Sequence, residues 1–155
     1  MSQITEDFRT FTTSEIIERL PECFRAALRC NLARKINQNT QIKVYCDGVF
    51  DMFHFGHMRM LKQIKDLFPN VYLVAGVCSD VDIGKNKGSR IMSDTERIES
   101  VKHCKWVDQI YFPAPWYPDV EFLTSNGFDF VAHDVAPYGA KDSIDIYHEI
   151  KECGM

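Results

Sequence analysis

The stretch Val44-Tyr45-Cys46-Asp47-Gly48-Val49-Phe50-Asp51-Met52-Phe53-His54-Phe55-Gly56-His57 decides how this chain is read. It begins as an apolar strand, turns through Asp47-Gly48, and ends in His-x-Gly-His at the start of a helix. Such a junction suits an anion. Gly56 has no Cβ, so a phosphate can approach the backbone closely. The unpaired N–H groups of a first helical turn favour negative charge. His54 and His57 add imidazoles that donate hydrogen bonds to phosphate oxygens when neutral, or neutralise them when protonated. The competing readings are half of a metal site or two incidental surface histidines. Their position directly after a strand and Asp47-Gly48 favours the phosphate reading.

Working outward, strands and helices alternate. Strands are predicted over 42–46, 71–77, 109–112 and 128–132, and helices over 56–68, 93–104, 118–126 and 142–152, with a Gly/Lys-rich loop over 83–91. The run 71–77 is almost continuously apolar, as in a parallel strand covered on both faces. This order predicts an α/β, Rossmann-like, doubly wound parallel sheet. Ligands of such sheets sit beyond the carboxyl ends of the strands. Those ends bring together residues 47–57, 79–87, 113–116 and 133–138, so the motif-bearing segments are expected to converge on one edge.

Residues 1–40 read as an N-terminal helical extension and 41–155 as the catalytic domain. Thr12 and Glu15 fit a capping box, and Leu20, Phe24, Leu28, Leu32 and Ile36 form an apolar stripe opposite Arg25, Arg29, Arg34 and Lys35. The favoured reading is a helix packed on the catalytic domain or on a second subunit. A membrane-surface helix is the alternative.

The chain has 155 residues, 45% hydrophobic and 26% charged, with net charge −4. That is ordinary for one globular domain and gives no general basic surface, so nucleic acid is not an expected partner. No run of 18 apolar residues suggests a membrane span. Six cysteines occur without a C-x-x-C pair, which favours a reduced, cytoplasmic setting, with peripheral membrane contact as a variant.

The segment 47–57, together with Gly76-Val77-Cys78-Ser79-Asp80, residues 92–97, Ala114-Pro115-Trp116, residues 130–134, Pro137-Tyr138 and residues 147–151, resembles the choline-phosphate branch of the cytidylyltransferases, within the HxGH nucleotidyltransferase superfamily. The resemblance runs from Lys43 to Met155. It implies CTP and phosphocholine as substrates, CDP-choline and pyrophosphate as products, Mg²⁺ accompanying CTP, and a homodimer whose contact includes residues 105–109. His54, His57 and Lys87 would be catalytic, acting on the phosphates. Asp47, Gly48, Val49, Phe50, Trp116, His133, Asp134, Tyr138 and Tyr147 would bind substrate, and no protein metal site is expected. Arg97 matches a family arginine, while Ser93 and Glu96 read as a capping box.

A quaternary ammonium donates no hydrogen bond, so its recognition needs aromatic faces and carboxylates. Trp116, Tyr138 and Tyr147 offer the first, and Asp47 and Asp134 the second. Taken alone, Trp116 reads as a core residue. Val135-Ala136 depart from the family's second acid and isoleucine. The family's Arg-Thr-x-Gly-x-Ser-Thr motif, which follows a stretch like 149–155, is absent from this sequence, so a C-terminally truncated catalytic domain is expected. The alternatives are an ethanolamine-phosphate cytidylyltransferase, a catalytically weak phosphocholine or nucleotide-binding module, and a small α/β protein with a histidine-based metal site.

Overall fold

A computed structural model of the protein describes residues 40–68, 70–133 and 147–155. The N-terminal helix expected over 12–38 lies outside the described residues, as do Asp134 and Tyr138. Four parallel strands form one sheet: β1 (Ile42–Gly48), β2 (Val71–Cys78), β3 (Gln109–Ala114) and β4 (Phe130–Val131), in the order β3-β2-β1-β4. The helices are α1 (Phe55–Lys65), α2 (Asp80–Asn86), α3 (Asp94–Lys102), α4 (Val120–Ser125) and α5 (His148–Glu152).

Alternation along β1 explains why both faces are covered. Val44 and Cys46 point into one core with Leu73, Ala75 and Val77 of β2, where Leu61 and Ile64 of α1 and Val101 of α3 pack on them. Tyr45 points the other way, into a second core with Val74, Leu123 of α4 and Ile150 of α5. Burial on both sides is what the unbroken apolar run of β2 encodes. The sheet grows from β1 through β2 to β3, then returns to the far side of β1 to add β4. The strand order therefore reverses between β1 and β4, and a crevice opens beyond their carboxyl ends.

Several boundaries differ from the sequence reading. The segment after β2 is a helix, where a loop was expected. Ser79 caps α2 by accepting the Asp82 N–H at 3.1 Å while its hydroxyl donates to the Asp82 carboxylate at 2.6 Å. Ile83 is the helix's single buried anchor, so no apolar period marks it in the sequence. Gly48 ends β1 rather than opening the turn. The left-handed backbone falls at Phe50 and Met52, with φ of 54° and 49°. Phe50 holds that unfavoured conformation because its ring is buried in the first core. β4 is shorter than expected because Phe128 N–H caps α4 at the Leu123 carbonyl (2.9 Å) instead of joining the ladder. α1 ends at Lys65, three residues early, where the Asp66 N–H bonds back to Lys62.

Candidate active site

The phosphate end is built first by local rules. His54 is the N-cap of α1. Its Nδ1 accepts the Gly56 N–H at 3.0 Å, and His57 Nδ1 accepts the His54 N–H at 3.3 Å. This is a reciprocal capping box made of two histidines in place of the usual hydroxyl and carboxylate. Gly56 is required between them, since a Cβ there would lie 2.7 Å from His54 Cε1. Both Nδ1 atoms act as acceptors, so each neutral ring carries its proton on Nε2. The pair thus presents two Nε2–H donors from one helix start. Burial, then neighbouring His54 and Lys87, hold His57 below the ordinary histidine range, which favours the neutral donor form. Phe53 stacks on His57 (centroids 5.5 Å, 3° between planes) and holds the ring in place.

A cavity of about 270 Å³ opens beside this helix start. It gathers Asp47, Gly48, Val49 and Phe50 from the end of β1, His57 from α1, Lys87 from the end of α2, Trp116 after β3, and His133 and Tyr147 after β4 and before α5. Nine of the predicted residues therefore line one pocket. His54 stands at its rim, 4.3 Å from His57 between ring centroids. Lys87 closes α2, its N–H bonded to the Ile83 carbonyl at 2.9 Å. Trp116 fills both roles proposed for it: it packs against Cys78, Ile83 and Ala114 and also lines the pocket. His133 stacks flat on Tyr147, with centroids 4.0 Å apart and 4° between planes, so one face of Tyr147 is already taken.

Asp47 and Cys78 differ electrostatically from the histidine that shares their pocket. Burial pushes the Asp47 carboxyl up to about 6, and its Oδ1 is buried without a hydrogen-bond partner among the described residues. Burial, with Asp47 nearby, likewise pushes the Cys78 thiol up to about 12, which makes it an inert neutral group. An unpaired, partly desolvated carboxyl facing an aromatic-lined cavity is suited to an incoming cation.

Two residues that the sequence reading left without a site role hold the walls together. Arg97 of α3 is fully buried. Its guanidinium donates to the Val49 carbonyl (2.6 Å), the Cys78 carbonyl (2.9 Å) and Asp80 Oδ1 (2.8 Å), tying the β1 turn to the end of β2 and the start of α2. Arg90 also grips Asp80, at 2.5 Å, and with Arg97 drops its carboxyl to about 2. Asp51 accepts the backbone N–H groups of Ile91 (2.8 Å) and Met92 (2.9 Å), which hold its carboxyl below the usual range. Asp51 sits within the motif, but its partners are about forty residues away, so only the fold reveals them. Among the described residues, no group of three His, Cys, Asp or Glu is arranged to hold a metal ion.

Fold and pocket together define an α/β domain of the doubly wound class with a cavity beyond its strand ends. A family model described as cytidylyltransferase-like matches residues 45–154, and the chain belongs to that family. It is 50% identical over 114 residues to choline-phosphate cytidylyltransferase A of Homo sapiens, covering 74% of this chain and 31% of that protein. It is also 50% identical over 113 residues to the choline-phosphate cytidylyltransferase of Saccharomyces cerevisiae, covering 73% and 27%. The ethanolamine-phosphate cytidylyltransferase of Dictyostelium discoideum is 41% identical over 113 residues, covering 73% and 31%. The chain spans about a third of the length of these relatives.

Proposed function

We propose that this chain carries the catalytic domain of a choline-phosphate cytidylyltransferase, which transfers CMP from CTP to phosphocholine. The observation that carries the reading is one pocket lined both by His57 and Lys87, whose chemistry suits phosphates, and by Asp47, Trp116 and Tyr147, whose chemistry suits a cation. The higher identity to choline-phosphate than to ethanolamine-phosphate relatives supports the choice of head group.

In this reading a phosphate oxygen of phosphocholine attacks the α-phosphorus of CTP. The new P–O bond forms as the bond to the β-phosphate oxygen breaks, and pyrophosphate leaves with the electron pair. The attacking phosphomonoester is already an anion, so positioning and charge stabilisation are what the protein must supply. His54 and His57 donate from Nε2 to the α-phosphate and the leaving group, and Lys87 adds a positive charge. Asp47 and the rings of Trp116 and Tyr147 hold the trimethylammonium group, with Asp134 and Tyr138 completing the cage. Mg²⁺ would neutralise triphosphate charge, arriving on CTP rather than in a protein cage, since such an ion keeps most of its waters and binds through substrate phosphates. A homodimer with residues 105–109 in its contact belongs to the same proposal.

Pyrophosphate release from CTP and Mg²⁺, measured with phosphocholine and with phosphoethanolamine, tests the reading. A clear preference for phosphocholine is expected. Equal use of the two would move the assignment to the ethanolamine-phosphate enzymes, and binding without release would leave a binding module.

A further inference from the structure

Behind the pocket lies a polar atom that the proposed chemistry does not yet use. Tyr45 is wholly buried and its hydroxyl has no hydrogen-bond partner among the described residues. The ring is held by Phe128, stacked at 5.0 Å, and by Phe122 and Tyr111 edge-on at 5.2 and 6.2 Å. The hydroxyl therefore cannot swing to solvent. It points along the sheet to Gly76, where an added Cβ would lie 2.3 Å from it, so the missing side chain of Gly76 is the space the hydroxyl fills. Gly76 is the register partner of Asp47 on the neighbouring strand. Tyr45 and Asp47 are two residues apart on β1 and share a face. Of the surrounding charges, Asp47 acts most strongly on the Tyr45 hydroxyl. A buried donor and a buried acceptor, Asp47 Oδ1, thus stand on one face with neither bond made.

Each unmade bond costs roughly 1–3 kcal/mol if it is never formed. We propose that Tyr45 is a positioning residue for the cationic substrate: its hydroxyl donates to the ionised Asp47 carboxylate and holds it aimed into the pocket at the ammonium group. The proposal rests on the phosphocholine reading above. Among the described residues, the titratable groups that share the pocket with Asp47 are Cys46 and Asp51 beside it in sequence, Cys78 from β2, His57 from α1, Lys87 from α2, and His133 and Tyr147 from the β4–α5 side. Among the described residues none donates to Asp47 Oδ1, and the Tyr45 hydroxyl is the other buried, unmatched polar atom on that face.

The test is Tyr45→Phe in the full chain, which removes one oxygen and keeps the ring. Two measurements are made: NMR titration of the Asp47 carboxyl, and pH profiles of kcat/KM for phosphocholine and for CTP. Losing a hydrogen bond to the charged form raises the pKa, so the Asp47 titration and the acid limb for phosphocholine should both move up by about one pH unit. KM for phosphocholine at neutral pH should rise about tenfold, with KM for CTP and kcat within about twofold of wild type. An unmoved Asp47 titration, or equal effects on both substrates, would reduce Tyr45 to a packing role. If the phenylalanine variant does not fold, 3-fluorotyrosine placed at position 45 keeps the phenol and strengthens the donor. The limb should then move to lower pH, and no movement overturns the proposal. If the titration shifts but the wild type does not use phosphocholine, the functional reading falls while the Tyr45–Asp47 pair stands.

Discussion

Two sets of residues at the pocket are built by different means. The first comes from a single helix start: His54, Gly56 and His57 bond one another within four residues. The second comes from the end of β1, the segment after β3 and the start of α5, with Asp47, Trp116 and Tyr147 spread over about a hundred positions of chain. Local hydrogen bonds suffice to orient the first. The second exists only where the sheet brings three strand ends together, and Arg97 pins the β1 turn to the end of β2 beside it. In the proposed reading a change in the first set should strike chemistry, whereas a change in the second should strike the affinity for one substrate.

The largest effect is expected at the histidine helix start. His57→Ala should lower kcat by about a thousandfold, the order seen when one transition-state donor is lost. Loss of its half of the capping box should cost only about 1 kcal/mol of stability. Steady-state kinetics beside a denaturation curve separate the two, and retained turnover would strip His57 of its role.

Arg97→Met breaks the comparison, because Arg97 belongs to neither set and pins the β1 turn to the end of β2 beneath the pocket. The substitution leaves Asp80 and two strand-end carbonyls without their donor, and about 3 kcal/mol or more of stability should be lost. Urea unfolding measures this. A loss under 1 kcal/mol would mean that the clamp is redundant with Arg90.

Asp47→Asn sharpens the comparison through pH. The folded carboxyl titrates at about 6 against an ordinary 3.8. Stability is therefore fully present below about 3.8 and is lost as pH rises through 6, where the buried group must ionise. The asparagine variant escapes this cost. It should be more stable than wild type by on the order of 2 kcal/mol above pH 7, and indistinguishable at pH 4. Its KM for phosphocholine should rise at the same time. Melting curves at the two pH values check the sign.

Trp116→Ala should raise KM for phosphocholine about tenfold, the value of a desolvated cation–π contact, and leave KM for CTP unchanged. Equal increases would show that its packing on Cys78, Ile83 and Ala114 is its whole contribution.

Legibility followed the same division. The strand β1, the helix α1 and the histidine pair were readable because period, capping chemistry and the glycine lie next to one another. α2 was not, because its single buried anchor, Ile83, leaves no period, and Gly84 and the lysines imitate a loop. Nor was the site role of Arg97, since an arginine in the first turns of a helix looks like any solvated charge until the fold buries it.

By itself the sequence determined the alternation of strands and helices, the His-x-Gly-His helix start and the family, because these rest on contacts between near neighbours and on contiguous motifs. The tertiary structure alone decided that Asp47 and Tyr45 are buried together, that Trp116 and Tyr147 share a cavity with His57, and that Arg97 holds that cavity's walls. Burial, desolvation and register are properties of a packed sheet, and no stretch of chain carries them in isolation.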